Sequence, residues 1–280
     1  MITTATKRLA LAAVAAALTL SLGACANNSA TPATAPAGTD TAAAGGVQLV
    51  NEGKLTVCTH LAYKPFQFTD DAGKIVGFDV DLMDLVAKDL GVTQEIVDIE
   101  FGQITSGAVF ASKRCDAGAA AITITDARKE SARFSDGYFA ATQALLVRKD
   151  SGIANVDGLQ GKVLAAQSDT TGLDWANENA GKYGYEVRVF DDMPTGSNAV
   201  LGGVVAASIN DNGVLYDYAK DNPDTQVVQE FQTGEEYGFN VGSDNEALQT
   251  EINKVLTAAK ADGRYNDIYK KWFGVDAPTS

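Results

Sequence analysis

Apolar and polar positions divide the chain into three stretches of different character. Leu9 to Leu22 is an Ala- and Leu-rich run behind Lys7-Arg8. It is shorter than the ~18 apolar residues a membrane-crossing helix wants. The basic head and the small residues Gly23-Ala24 after the run give it the form of an export signal. From Ala26 to Gly46 the chain is Ala, Thr, Ser, Asn, Gly and Pro with one acid, Asp40. Such a stretch cannot bury enough apolar surface to offset its ordering entropy and reads as a leash.

From Leu55 onward short apolar runs alternate with helical spacing. Leu55–Cys58 predicts a strand. Val80, Leu82, Met83, Leu85, Val86 and Leu90 recur at helical spacing, predicting a helix from Asp79, its N-cap, to Gly91. Gln94–Ile99 predicts a strand, Ile104–Lys113 a helix, and Asp116–Ile124 a small-residue buried strand. Ala144–Arg148 opens a second unit. Strands at Gly161–Ala166, Glu186–Phe190, Val205–Ile209 and Val227-Val228 alternate with helices at Thr170–Ala180, Ser197–Gly202 and Gly213–Asp221. Asn245–Gly263 and Tyr265–Phe273 close as helices. The alternation predicts α/β architecture with mainly parallel sheets. Two units separated by two extended segments imply two lobes, joined by two hinge strands, with a cleft between them.

Composition narrows the function. The chain has 280 residues, 22 Lys+Arg against 36 Asp+Glu, and a net charge of −14. That balance argues against nucleic-acid binding, which needs clustered basic residues. One His nearly excludes a His-rich metal site, and no cofactor is expected. Three scattered Cys exclude a zinc ribbon. Cys58 and Cys115 are the thiols of the folded part. Their offset on neighbouring strands argues against a disulfide, although an exported protein can form one.

Several motifs carry a resemblance. Gly77-Phe78-Asp79-Val80-Asp81-Leu82, with Val86-Ala87 and Leu90, resembles the signature of the family 3 extracellular solute-binding proteins. Tyr63-Lys64-Pro65-Phe66 is similar to that family's first ligand loop, and Ile122-Thr123-Ile124-Thr125-Asp126-Ala127-Arg128 to its central motif. Gln167 to Gly172 resembles the second-lobe loop, and Tyr265 to Gly274 the C-terminal ending. Leu22-Gly23-Ala24-Cys25 resembles the lipobox of bacterial lipoproteins, which implies a lipid on Cys25. The resemblance spans Gly53 to Gly274. It implies the two-lobe periplasmic-binding-protein fold, type II, and polar amino-acid ligands.

An amino acid taken from water needs partners for its carboxylate and its ammonium. An Arg fork suits the carboxylate, and the family's clamp falls on Arg128. Thr123 stands where members use a hydroxyl and backbone. Thr170 and Thr171 lie where a helix begins, so the Thr171 hydroxyl and nearby N–H groups can meet the carboxylate from the other lobe. Asp211 matches the amine-binding Asp, with Asn210 beside it. Tyr63 and Phe101 match the aromatic walls. Ala120-Ala121 replaces Ser or Gly, so Ala121 contributes backbone only. Asp169 replaces the usual Gly. His60 and Gln167 stand where members often carry an acid and a cation. Losing both charges disfavours Lys or Arg as ligand and favours a neutral or acidic, glutamine- or glutamate-like one.

These readings together predict an extracytoplasmic, lipid-anchored, monomeric binding protein that delivers an amino acid to the permease of an ABC importer. It touches the membrane only through its anchor and catalyses nothing. A cyclohexadienyl-dehydratase-like enzyme and a sensory receptor are the alternatives on the same fold. The expected layout is a signal at 1–24, a tether at 25–50, lobe 1 at 51–143 and 241–280, and lobe 2 with the hinge strands at 144–240.

Overall fold

The computed structural model describes residues 46–278. The export signal, Cys25 and most of the leash fall outside the described residues. Two five-stranded sheets form the frame. The first has the order β4-β1-β5-β12-β6, built from β1 (Lys54–Thr59), β4 (Thr93–Asp98), β5 (Ala117–Gly118), β6 (Ala132–Phe134) and β12 (Asn240–Gly242). The second has the order β11-β7-β10-β8-β9. It comprises β7 (Phe139–Arg148), β8 (Val163–Gln167), β9 (Glu186–Phe190), β10 (Ala207–Asp211) and β11 (Thr225–Tyr237). β2 (Phe68–Thr69) and β3 (Ile75–Val76) make a small hairpin.

Each sheet is parallel except where the chain enters from the other lobe. In lobe 1, β12 runs antiparallel to β5 and β6, and in lobe 2, β7 runs antiparallel to β10 and β11. The chain therefore crosses twice, after Phe134 and after Tyr237. The crossings hold each other: the Ser135 N–H donates to the Phe239 carbonyl at 2.8 Å, and the Tyr138 N–H to the Tyr237 carbonyl at 2.9 Å. Tyr138 stacks on Phe239 with centroids 4.3 Å apart. Helices α1 (Phe78–Asp89), α8 (Glu246–Asp262) and α9 (Arg264–Phe273) cover lobe 1, and α5 (Thr171–Tyr183), α6 (Met193–Leu201) and α7 (Asn212–Asp221) cover lobe 2. Phe66, fully buried, meets Phe78, Phe139, Tyr237 and Phe273 edge-on beside the hinge.

Several expectations change. The helix read at 104–113 is two short ones, α2 (Phe101–Thr105) and α3 (Ala108–Ala111). Gly107 breaks it, with a left-handed φ of 75°, where a Cβ would lie 2.8 Å from the Ser131 carbonyl oxygen. The strand read at 116–124 is only β5. The chain leaves the sheet and turns through Ala121, whose φ is 50°. Asp79 is no N-cap. The cap position is Gly77, whose φ is 145° and where a Cβ would lie 2.0 Å from the Phe66 carbonyl oxygen. Asp79 instead points into the core, taking hydrogen bonds from the Ala121 N–H and the Tyr138 hydroxyl, each at 2.8 Å. Burial pushes its carboxyl up to about 7.

Cys58 and Cys115 form a disulfide, with Cα atoms 5.7 Å apart. Cys115 precedes β5 rather than continuing it, so a bend at Asp116 removes the expected offset. Packing also begins before residue 51: Val47 is fully buried, and the Val50 N–H donates to Asp116 at 2.7 Å. The second sheet starts at Phe139, not 144. Among the described residues no helix is long and apolar enough to cross a membrane.

Candidate functional site

A cleft between the lobes encloses about 330 Å³ of space, part of it open to solvent. All the candidate ligand residues except Asn210 line it: His60, Tyr63, Phe101, Ala121, Thr123, Arg128, Gln167, Thr170, Thr171 and Asp211. Their convergence follows from topology. His60 and Tyr63 follow β1, and Gln167 ends β8. Asp211 ends β10. Carboxyl ends of parallel strands face the crevice in such sheets.

Arg128 sits in the short helix α4 (Asp126–Lys129), capped by the Thr125 hydroxyl, which accepts from the Arg128 N–H at 3.2 Å. Its guanidinium donates to the Thr123 carbonyl at 2.7 Å and, across the cleft, to the Asp169 carbonyl at 2.9 Å. It lies 5.4 Å from the Phe101 ring centroid. Burial lowers its proton affinity, while Asp211, Asp174 and Glu235 pull the other way. Asp169 does not cap α5. Thr170 does, accepting from the Leu173 N–H at 3.1 Å, and Asp169 has a left-handed φ of 61° with its carboxylate over Gly102.

Asp211 is buried and takes hydrogen bonds from the Tyr63 hydroxyl at 3.1 Å, the Tyr237 hydroxyl and the Gln143 amide. Burial, then the nearby charge of Glu235, pushes its carboxyl up to about 6. Burial also raises Tyr63 and Tyr237 well above the usual phenol value, so both stay protonated donors. Asn210 stands behind the wall. Its Oδ1 accepts from the Tyr63 hydroxyl, and its Nδ2 donates to Gln167 Oε1 at 3.3 Å.

Glu235, Gln143, Gln67 and Tyr237 escaped the reading of the sequence. The Glu235 carboxylate accepts from the Thr123 hydroxyl at 2.9 Å and the Thr171 hydroxyl at 2.8 Å, with the Gln143 amide at 3.2 Å. Gln143 lies opposite Asp211 in register, in the middle of an apolar strand. A polar side chain in such a strand was the available signal. Glu235 and Tyr237 share one face of β11 by the two-residue alternation of strands.

A second group of polar atoms is unmatched. His60 Nδ1 lies 3.0 Å from the Ile99 carbonyl, an acceptor, so Nδ1 carries the proton and Nε2 of a neutral ring is left as an acceptor. That Nε2 is buried with no partner among the described residues. Gln67 donates its amide to the His60 carbonyl at 3.2 Å, which leaves its Oε1 buried and unpartnered too. Gln167, with Oε1 taken by Asn210, keeps its N–H groups for the cavity.

The family model for bacterial extracellular solute-binding proteins, family 3, matches residues 55–275. The chain is 36% identical over 212 residues to the ABC transporter glutamine-binding protein GlnH of Bacillus subtilis, covering 73% of this chain and 75% of that protein. It is 32% identical over 228 residues to the L-cystine-binding protein TcyJ of Escherichia coli K12, covering 80% and 84%. The solved structure of an ancestral arginine-binding protein bound to glutamine superposes with a TM-score of 0.75 at 37% identity, covering 80% of this chain and all of that one. With the family model spanning both lobes and the cavity between them, the chain belongs to the bacterial extracellular solute-binding proteins of family 3.

Proposed function

We propose that the protein captures a neutral, polar amino acid carrying a carboxamide and hands it to the permease of an ABC importer. One observation carries the amino-acid reading: Arg128 from lobe 1 and Asp211 from lobe 2 line the same cavity. The guanidinium meets the ligand carboxylate, helped by the N–H groups of the first turn of α5. Asp211 meets the ammonium. Ligand contacts from both lobes link closure to binding.

The unmatched atoms support the choice of side chain. His60 Nε2 and Gln67 Oε1 want donors, and Gln167 offers one. A primary carboxamide supplies two N–H groups and one carbonyl. A carboxylate has no proton for the two acceptors. A cationic side chain would bury its charge against neutral groups and leave the Gln167 N–H unmet. The neutral-or-acidic expectation thus narrows to neutral. The protein works as an exported monomer anchored through lipidated Cys25, binds without turnover, and leaves ammonium, carboxylate and amide intact.

A thermal-shift screen of the twenty amino acids tests this reading. A carboxamide amino acid at a hundredfold excess over its Kd should raise Tm by roughly 5–10 °C and be recovered unchanged. No shift with any amino acid, or consumption of the ligand, would overturn it.

A further inference from the structure

Of the three cavity threonines, Thr123 and Thr171 belong to different lobes, yet both hydroxyls end on one carboxylate. Thr123 lies between β5 and α4 in lobe 1, and Thr171 opens α5 in lobe 2. Both donate to Glu235 Oε2, at 2.9 Å and 2.8 Å. Glu235 sits on β11 opposite Ala141, two residues before the chain crosses back to lobe 1. A hydroxyl has one proton and two lone pairs. A carboxylate only accepts, so each threonine has spent its proton on Glu235; the Thr171 oxygen also takes an N–H of the Gln143 amide at 3.3 Å, which leaves it one lone pair for the cavity. The neighbouring Asp211 also only accepts. With the Thr171 hydroxyl turned to Glu235, the backbone N–H groups at the start of α5 are the donors that face a ligand carboxylate from this lobe.

We propose that Glu235 is a positioning residue of the hinge: by holding the Thr123 and Thr171 protons it turns both hydroxyls into acceptors for the ligand ammonium and joins the two lobes at that point. The proposal rests on the amino-acid reading above. It makes the hinge strand part of ammonium recognition without Glu235 itself lining the cavity. The Gln143 amide, which reaches both Asp211 and Glu235, keeps the two carboxylates apart in one network.

Glu235→Gln keeps the shape and gives up the charge. With its amide oxygen at the Oε2 position it would set its N–H groups against the Gln143 N–H donor, and with the amide reversed its N–H groups would face both threonine hydroxyls, so either orientation gives up part of the carboxylate's arrangement. The test titrates the full chain by calorimetry with L-glutamine and with glutaramate, the same molecule without the ammonium. Where another of the twenty amino acids binds the wild type more tightly, that one and its deaminated analogue replace them. The variant should bind the amino acid about tenfold more weakly and the deaminated analogue almost unchanged, so that preference for the ammonium shrinks about tenfold. A merely structural role would weaken both alike, and that result, or an unchanged ratio, overturns the proposal. If the wild type binds no amino acid, the functional reading falls and this proposal with it.

Thr171→Val serves as a second variant should Glu235→Gln fold poorly, and the same ratio should fall in it. A readout without ligand is the titration of the Asp211 carboxyl by NMR. The groups around Asp211 are Arg128, Tyr63, Tyr237, Gln143 and Glu235. Of these, Glu235 opposes its ionisation by charge, so Asp211 should titrate lower in Glu235→Gln. An Asp211 titration that does not move contradicts the network.

Discussion

Two parts of the cavity wall differ in how their polar groups are partnered, although Gln143 Oε1, beside Asp211 and Glu235, is also buried without a partner. Around Arg128, Asp211 and Glu235 the charged groups already have partners in the protein: carbonyls for the guanidinium, and hydroxyls and an amide for the carboxylates. Around His60, Gln67 and Gln167 two acceptors are buried and unmatched. The first part is already hydrogen-bonded within the protein, which suits recognition of the carboxylate and ammonium that all amino acids share. The second holds unmet hydrogen bonds, whose cost falls on any ligand that cannot supply the complement. On the proposed reading, the charged part meets what all amino acids share and the unmatched part selects among them.

Substitutions separate the two. Arg128→Ala should have the largest effect. Losing one member of a buried charge pair costs about 3–5 kcal/mol, so calorimetry should register a loss of several hundredfold or more for every amino acid, with the melting curve kept. Unchanged affinity removes Arg128 from the site. The disulfide comes next, because Cys58 lies two residues before His60 and anchors the unmatched part. Closing a loop with a sequence separation of 57 residues is worth about 4 kcal/mol in the chain-entropy model. Cys58→Ser with Cys115→Ser should lower Tm by roughly 10 °C; an unchanged Tm would show that the cross-link contributes nothing.

Gln167→Glu exchanges the lone donor for an acceptor. It should weaken glutamine binding by about tenfold while leaving alanine binding nearly as it was. Equal losses for both would assign Gln167 to the shared part. The smallest effect belongs to Asp79, beneath Ala121. Its carboxyl stands at about 7 in the fold against an ordinary 3.8. Between these values the folded state holds the extra proton, so its contribution is full below 3.8 and is lost as pH rises to about 7. Tm measured across that window should fall with pH in the wild type and more gently in Asp79→Asn. Parallel slopes would exclude Asp79 as the source.

The strands, the long helices and most of the cavity residues were legible in the sequence because each rests on local pattern or on a short motif. Arg128 stands beyond a strand end, and Asp211 follows an apolar run. What was not legible depends on partners far along the chain. Glu235 gains its meaning from Thr123 and Thr171, 112 and 64 residues away. Asp79 looks like a cap until Ala121 and Tyr138 are seen to enclose it. Apolar composition at 116–124 hid a turn, since small residues serve equally in a buried strand and in the left-handed bend at Ala121. Cys58 and Cys115 were misjudged because strand register was extended back before the start of β5.

The central claim is the pairing of a charged clamp with a carboxamide-reading wall. Its most direct test is calorimetric titration of the wild-type chain with L-glutamine and L-glutamate at neutral pH. One-to-one binding with glutamine at least ~30-fold tighter is predicted, from two buried acceptors that glutamate leaves unmet at about 1 kcal/mol each. Glutamate binding as tightly as glutamine, or more tightly, would contradict it.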